Sequence, residues 1–312
     1  QTIKDADSVI GVLPTLTNNG AAIPVANIKA LQGSMETMKA LEYMYVLLAH
    51  DTVGIAINNP GGPISGSGIA PIVCARDAWR VIIAMLDTAQ AEFTAAGLKT
   101  VMGVPGSTFP ALQVPPGYAA LGNTGGGWMN FVYVLRGRAR LELAYAVARG
   151  PGGNRPTPNS PGGPDVNQLD SAITDITASN LYSPTLTAGE AVASNDAGVF
   201  HSFSSAANDI ANPVYGISNA YFVLEGAAQQ IDTLNDLRFL AKFAPAPALP
   251  ASTGSGAASS YAWFNNIGLG TPIPIVRNVE LQFLLARAYL GIGSYAKACL
   301  LYTSPSPRDR QK

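Results

Sequence analysis

The stretch "ARAYLGIGSYAKA", Ala286–Ala298, decides how this chain is read. Small residues on one helical run lead into a glycine turn, and a second run again offers a small residue early. Only small side chains let two short helices approach closely enough to stack in register. A looser version runs from Leu135 to Ile173, where "LRGRARLELAYAVARG" is followed by a proline- and glycine-rich insertion and then by "NQLDSAI". Both stretches predict helices that pair across tiny side chains.

Working outward, apolar residues at three- and four-residue steps (Ile28, Leu31, Met35, Met38, Leu41, Tyr45, Leu48) predict a helix over Asn27–Leu48, with Asn27 as its N-cap. Pro71 fits the first turn of a second helix, which carries the stripe Val73, Trp79, Ile82, Ile83, Leu86, Ala89 and Phe93 and stops at Gly97. The two pack as neighbours. A third helix, Trp128–Arg149, reads as strongly amphipathic, and a fourth starts at Asp165 with Leu169, Ala172, Ile173 and Ile176 on one face; these form an antiparallel pair. Further helices are predicted over Ser218–Phe243 and Val276–Gly291, with a last one starting at Ser294. Long irregular excursions such as 98–126 separate them, and function concentrates in such segments. Strand-like alternation is scarce, so the fold class is mainly α, helical hairpins joined by long irregular loops.

Composition narrows the partners. In 312 residues 47% are apolar, ample for a sizeable core, while only 12% are charged. Net charge is −1, and no basic stripe with interleaved aromatics marks a nucleic-acid surface. No apolar run reaches the roughly 20 residues that span a bilayer. With 2 cysteines, Cys74 and Cys299, neither a disulfide nor a metal framework arises. Cys74, in an apolar helical stretch, is expected to be a small buried hydrophobe.

The quoted stretch resembles a tetratricopeptide repeat, with Ala288, Tyr289, Gly293, Tyr295 and Ala298 in the expected places. The succession over Leu31–Ala298 adds to this. It runs through Leu31, Gly33, Ala40, Tyr43 and Leu47, then "ARDAWRVIIAMLDTAQAEF", "NFVYVLRGRARLELAYAVARG", "NDLRFLAKF" and "PIPIVRNVELQFLLARAYLGIGSYAKA". In this order the motifs resemble the SusD/RagB family, with Asp236–Arg238 and Arg277–Glu280 the most telling pieces. Arg287 departs from the family, whose helix usually carries acidic residues there. The resemblance implies a surface-exposed protein of the outer membrane, lipid-anchored and facing outward, that captures glycan or other nutrient ligands for a TonB-dependent, SusC-like transporter. It also implies that residues 1–298 form a single SusD-like domain incomplete at both ends, the lipidated cysteine lying upstream. Cys299–Lys312, "CLLYTSPSPRDRQK", resembles a translated DNA-library adaptor and is expected to be a non-native tail.

Catalysis needs titratable groups brought together with shifted pKa values. The chain has 2 histidines, His50 and His201, and neither stands in a nucleophile or metal spacing. The glycine-rich "GSGIAP" and "TGGGWMN" lack the phosphate-cradle pattern. Asp77, Asp87 and Glu92 share one helix, where a solvated face accounts for them. No reaction, cofactor or metal is therefore expected. Sugar binding asks instead for aromatic rings, amides and hydroxyls on loops held by a rigid scaffold. Candidates are Phe109 and Tyr118; Phe200, His201 and Phe203 in "VFHSFSS"; and Tyr261, Trp263, Phe264, Asn265 and Asn266 in "SYAWFNN", the densest cluster. Trp79 and Trp128 belong to the core. Two other readings stay open: a helical-repeat interaction scaffold without a small ligand, and a helical glycoside hydrolase, which needs two carboxylates about 5–10 Å apart.

Overall fold

The computed structural model describes residues 2–15, 17–18, 21–50, 54–57, 70–97, 125–148, 163–179, 198–202, 243–244, 263–264 and 272–302. By internal contacts the chain divides into a larger unit (Gln1–Val114, Ala120–Val199 and Val276–Lys312) and a smaller one (Pro115–Ala119 and Phe200–Ile275).

Numbered in chain order over the described residues, the helices are α1 (Thr2–Val12), α2 (Val25–His50), α3 (Ala75–Ala95), α4 (Gly125–Ala148), α5 (Val166–Ala178), α6 (Asn278–Gly291) and α7 (Tyr295–Tyr302). The strands are short: β1 (Thr17–Asn18), β2 (Ala21–Ala22), β3 (Ile55–Ala56), β4 (Ile72–Val73), β5 (Gly198–Ser202), β6 (Phe243–Ala244), β7 (Trp263–Phe264) and β8 (Pro272–Arg277). They form two-stranded ribbons only, β1 with β2, β3 with β4, β5 with β8 and β6 with β7. The described fold is mainly α.

In the larger unit each helix packs on the next, α1 on α2 through to α6 on α7. The residue pairs fix the directions. Lys29 meets Glu92 and Gly33 lies against Phe93, so α2 and α3 are antiparallel. Phe93 faces Trp128 and Asp87 meets Arg136, so α3 and α4 are antiparallel. Ser179 bonds Asn130 and Asp165 bonds Ala144, which makes α4 and α5 an antiparallel pair as well.

Small residues set the spacing. A Cβ added to Gly137 would stand 2.6 Å from Ile176 Cγ1 and 3.1 Å from the Ala172 carbonyl, so α4 and α5 touch backbone to side chain there. One added to Gly291 would stand 2.5 Å from Leu169 Cδ1, where α6 meets α5. Ala288 is fully buried among Leu141, Ala144, Leu169 and Ala172, as the repeat-like pattern requires. After α6 the chain reverses through Gly293 at φ +79°, with Ser294 N–H donating to Tyr289 O and Gly293 N–H to Leu290 O. These two bonds are the Schellman pattern, and the positive φ is why glycine stands there. At the other end of its helix, Asp165 caps α5 by accepting from the N–H groups of Asn167 and Gln168.

Several boundaries differ from expectation. Ile72–Val73 is a strand, so the second helix begins at Ala75 and Pro71 lies outside it. Cys74 is its exposed N-cap residue, and its thiol donates to Asp77 Oδ2 at 3.1 Å, so it is no buried hydrophobe. Val276 likewise belongs to β8, and α6 starts at Asn278. α4 is not amphipathic. It is buried nearly all round, from Trp128 and Phe131 to Leu141 and Ala144, because α2, α3, α5 and α6 all pack on it. Trp79 and Trp128 are buried as expected. α1 has no counterpart among the helices expected. The helix expected over Ser218–Phe243 lies outside the described residues except Phe243, which is in β6. α7 covers Cys299–Tyr302, and residues 303–312 lie outside the described set.

Candidate functional site

Of the residues proposed to hold a sugar, Phe200 and His201 lie in β5, which pairs with β8, and Trp263 lies in β7, which pairs with β6. In the β6–β7 ribbon Phe243 stands opposite Phe264 and Ala244 opposite Trp263. Phe109, Tyr118, Tyr261 and Asn265 lie outside the described residues, as do Phe203 and Asn266.

The described charges in the larger unit are organised as ties between helices. Arg136 of α4 sits with its side chain 9% exposed. Its Nη2 and Nε donate to the Asp175 carboxylate of α5 at 2.6 and 3.0 Å, and its Nη1 donates to Asp87 at 2.8 Å and to Gln90, both on α3. Burial works against this charge, but the bonds to Asp175 and the charges of Asp175 and Asp87 outweigh it and hold the guanidinium above its ordinary pKa. Arg140 adds a second contact to Asp175 at 3.0 Å. Three helices are thus fastened at one point. The carboxylates of α3 are accordingly not a plain solvated face: Asp87 reaches Arg136, and Glu92 meets Lys29 of α2 at 2.8 Å.

A second tie joins α1 to α2, where Lys39, only 3% exposed, lies 2.6 Å from Asp7 and 3.9 Å from Glu36. Burial pushes the Glu36 carboxyl pKa up; Lys39 opposes this, and Asp7 and Glu92 add to it. A third joins α4 to α6, with Arg287 paired to Glu142 and stacked 4.5 Å above the Tyr145 ring. Sequence reading missed these ties. The one available signal was charge inside an apolar run, as at Arg136 in "VYVLRGRARLEL". Among the described residues no group of three or more His, Cys, Asp or Glu side chains could hold a metal ion.

No family model matches the sequence, and no curated protein does. The structure is similar to solved ones. A crystal structure with xylogluco-oligosaccharide is 14% identical, with 94% of this chain and 59% of that chain covered and a TM-score of 0.47. A SusD/RagB family protein from Bacteroides thetaiotaomicron is 15% identical, with 97% and 60% covered and a TM-score of 0.46. A laminarin binding SusD-like protein is 16% identical, with 96% and 67% covered and a TM-score of 0.40. The chain thus spans 59% and 60% of the length of the first two.

Proposed function

We propose that this chain is a SusD-like nutrient-binding protein, which captures a glycan by non-covalent contact and passes it to a TonB-dependent, SusC-like transporter at the outward face of the outer membrane. The observation that carries the reading is the α6–α7 hairpin. The repeat-like residues Ala288 and Gly293 occupy the buried contact and the turn that such a hairpin needs, within an ordered succession of family-like motifs. The candidate aromatics supply the chemistry in this reading: a tryptophan ring covers the apolar face of a pyranose, while neighbouring amides satisfy its hydroxyls. No bond is made or broken in this reading.

The test is titration calorimetry of the full chain with xylogluco- and laminari-oligosaccharides, alongside co-purification of the intact protein with a transporter. Saturable binding of one glycan without release of reducing sugar is the expected result. Silence toward all glycans and nutrient peptides, with no transporter recovered, ends the proposal, whereas release of reducing sugar moves the reading to a hydrolase.

A further inference from the structure

Helix α1 is attached lightly. Of residues 3–12 only Ala6 is buried, while Val9 and Val12 stand in solvent, so little apolar surface holds this helix against α2. The polar anchor is Asp7, whose Oδ1 lies 2.6 Å from Nζ of Lys39, a lysine of α2 that is only 3% exposed. If Asp7 left, that ammonium would be a buried charge in need of a partner. A substitute is already in place: Glu36, one turn earlier on α2, holds its Oε2 3.9 Å from the same Nζ. Elements with few buried contacts open locally at a lower free energy than the whole fold.

The surroundings of Lys39 are also short of a hydrogen-bond donor. Asp7 Oδ2 is buried without one, and so is Oε1 of Gln32, one turn before Glu36 on α2. A proton on Glu36 brings a donor to this cluster. Burial pushes the Glu36 pKa up, Lys39 opposes this, and Asp7 and Glu92 add to it. Glu92, on α3, is itself bonded to Lys29 of α2, and Leu13–Thr15, which also packs on α1, has no titratable side chain. When α1 lifts, Glu36 loses the Asp7 charge and part of its cover but keeps Lys39, so its pKa falls and its proton leaves. The docked form is thus the one with the raised pKa, and the docking strength tied to Glu36 is lost as pH rises through that value.

We propose that α1 is a proton-linked strap: it lifts off α2 by itself while α2 to α6 stay packed, and Lys39 passes from Asp7 to Glu36 as it goes. The strap is independent of glycan binding.

Hydrogen–deuterium exchange of the full chain, read by mass spectrometry on peptides from each helix, tests it. Peptides of α1 should exchange through a local opening, and Asp7→Asn should speed them by about tenfold or more while leaving those of α4 unchanged. Glu36→Gln should slow α1 at neutral pH and abolish the protection that α1 of the parent gains between about pH 8 and about pH 5, after correction for intrinsic exchange. Asp7→Asn combined with Glu36→Gln leaves Lys39 without either partner, so this variant should speed α2 as well, which neither single change does. Any of four results overturns the proposal: α1 exchanging only together with α4 in the parent, α1 protection in the parent that ignores pH, Asp7→Asn speeding every helix alike, or the double variant matching Asp7→Asn in α2.

Discussion

The guanidinium of Arg136 and the carboxylate of Asp175 face each other across the α4–α5 crossing in a two-bond fork, at 2.6 and 3.0 Å. Both side chains are 9% exposed, so either one left alone is a charge in a poorly solvated place. Asp175→Ala should therefore cost about 3–5 kcal/mol of unfolding free energy. Replacing both partners, as Arg136→Met with Asp175→Leu, should cost clearly less than that single change, because the charges that then lose a partner, Asp87 and Arg140, are better solvated, at 51% and 21% exposed. Chemical denaturation of the parent and the two variants measures it, and equal losses in the single and the double variant would show that the fork is not what matters there.

Ala288 has no room to grow. It is fully buried between Leu141, Ala144, Leu169 and Ala172. Ala288→Trp should destabilise by about 1–3 kcal/mol or more through overpacking. Gly137→Ala, whose new methyl group would stand 2.6 Å from Ile176 Cγ1, should lose a similar amount unless that side chain turns away. Thermal unfolding reports both.

Glu36 gives a prediction with a sign. Its folded-state pKa is raised, chiefly by burial, so the fold favours the protonated form. The stability tied to that form is complete below the ordinary carboxylate range and is lost as pH rises through the raised folded value. Glu36→Gln should then melt above the parent at neutral pH, and the gap should close in acid below the ordinary glutamate pKa. A gap that persists unchanged into acid would assign the effect to packing.

Trp263 is the residue on which sugar binding is expected to depend most. Trp263→Ala should weaken glycan affinity by about tenfold or more, equivalent to about 1.4 kcal/mol. Trp263→Phe should retain part of the affinity, because a smaller ring still covers a pyranose face. Affinity electrophoresis in gels cast with the glycan compares the three proteins directly.

What the sequence disclosed followed from how each residue acts. The α4–α5 and α6–α7 pairings were legible because small residues recur at fixed steps and Gly293 marks the turn. The start of the fourth expected helix at Asp165 was legible because an apolar stripe begins just after it, whereas Asn27, read as the N-cap of the first, lies inside a helix that already begins at Val25. The start of α3 was not, because Pro71 suits a first helical turn and an extended approach equally well, and the pairing of Ile72–Val73 with Ile55–Ala56 tips the balance from a distance. The same limit hid the all-round burial of α4, whose apolar periodicity shows one face while its neighbours determine how many are covered. Arg136 shows the limit most sharply, since its partners on α3 and α5 lie 39 to 49 positions away in the chain. Of the candidate site, the residue types were readable, but Phe200, His201 and Trp263 lie in strands of two-stranded ribbons where irregular loops were expected, because pairing with a distant segment leaves no mark on the local sequence.

Because four other helices pack on α4 and most of its side chains from Trp128 to Ala144 are buried, its middle is the best-shielded stretch of helix in the larger unit. Helices at the rim of such an arrangement can fray and re-form singly, but deuterium can enter the middle of α4 only when the larger unit comes apart as a whole. The slowest-exchanging amides of the chain should therefore cluster between Phe131 and Leu141, and their exchange free energy should equal that of global unfolding.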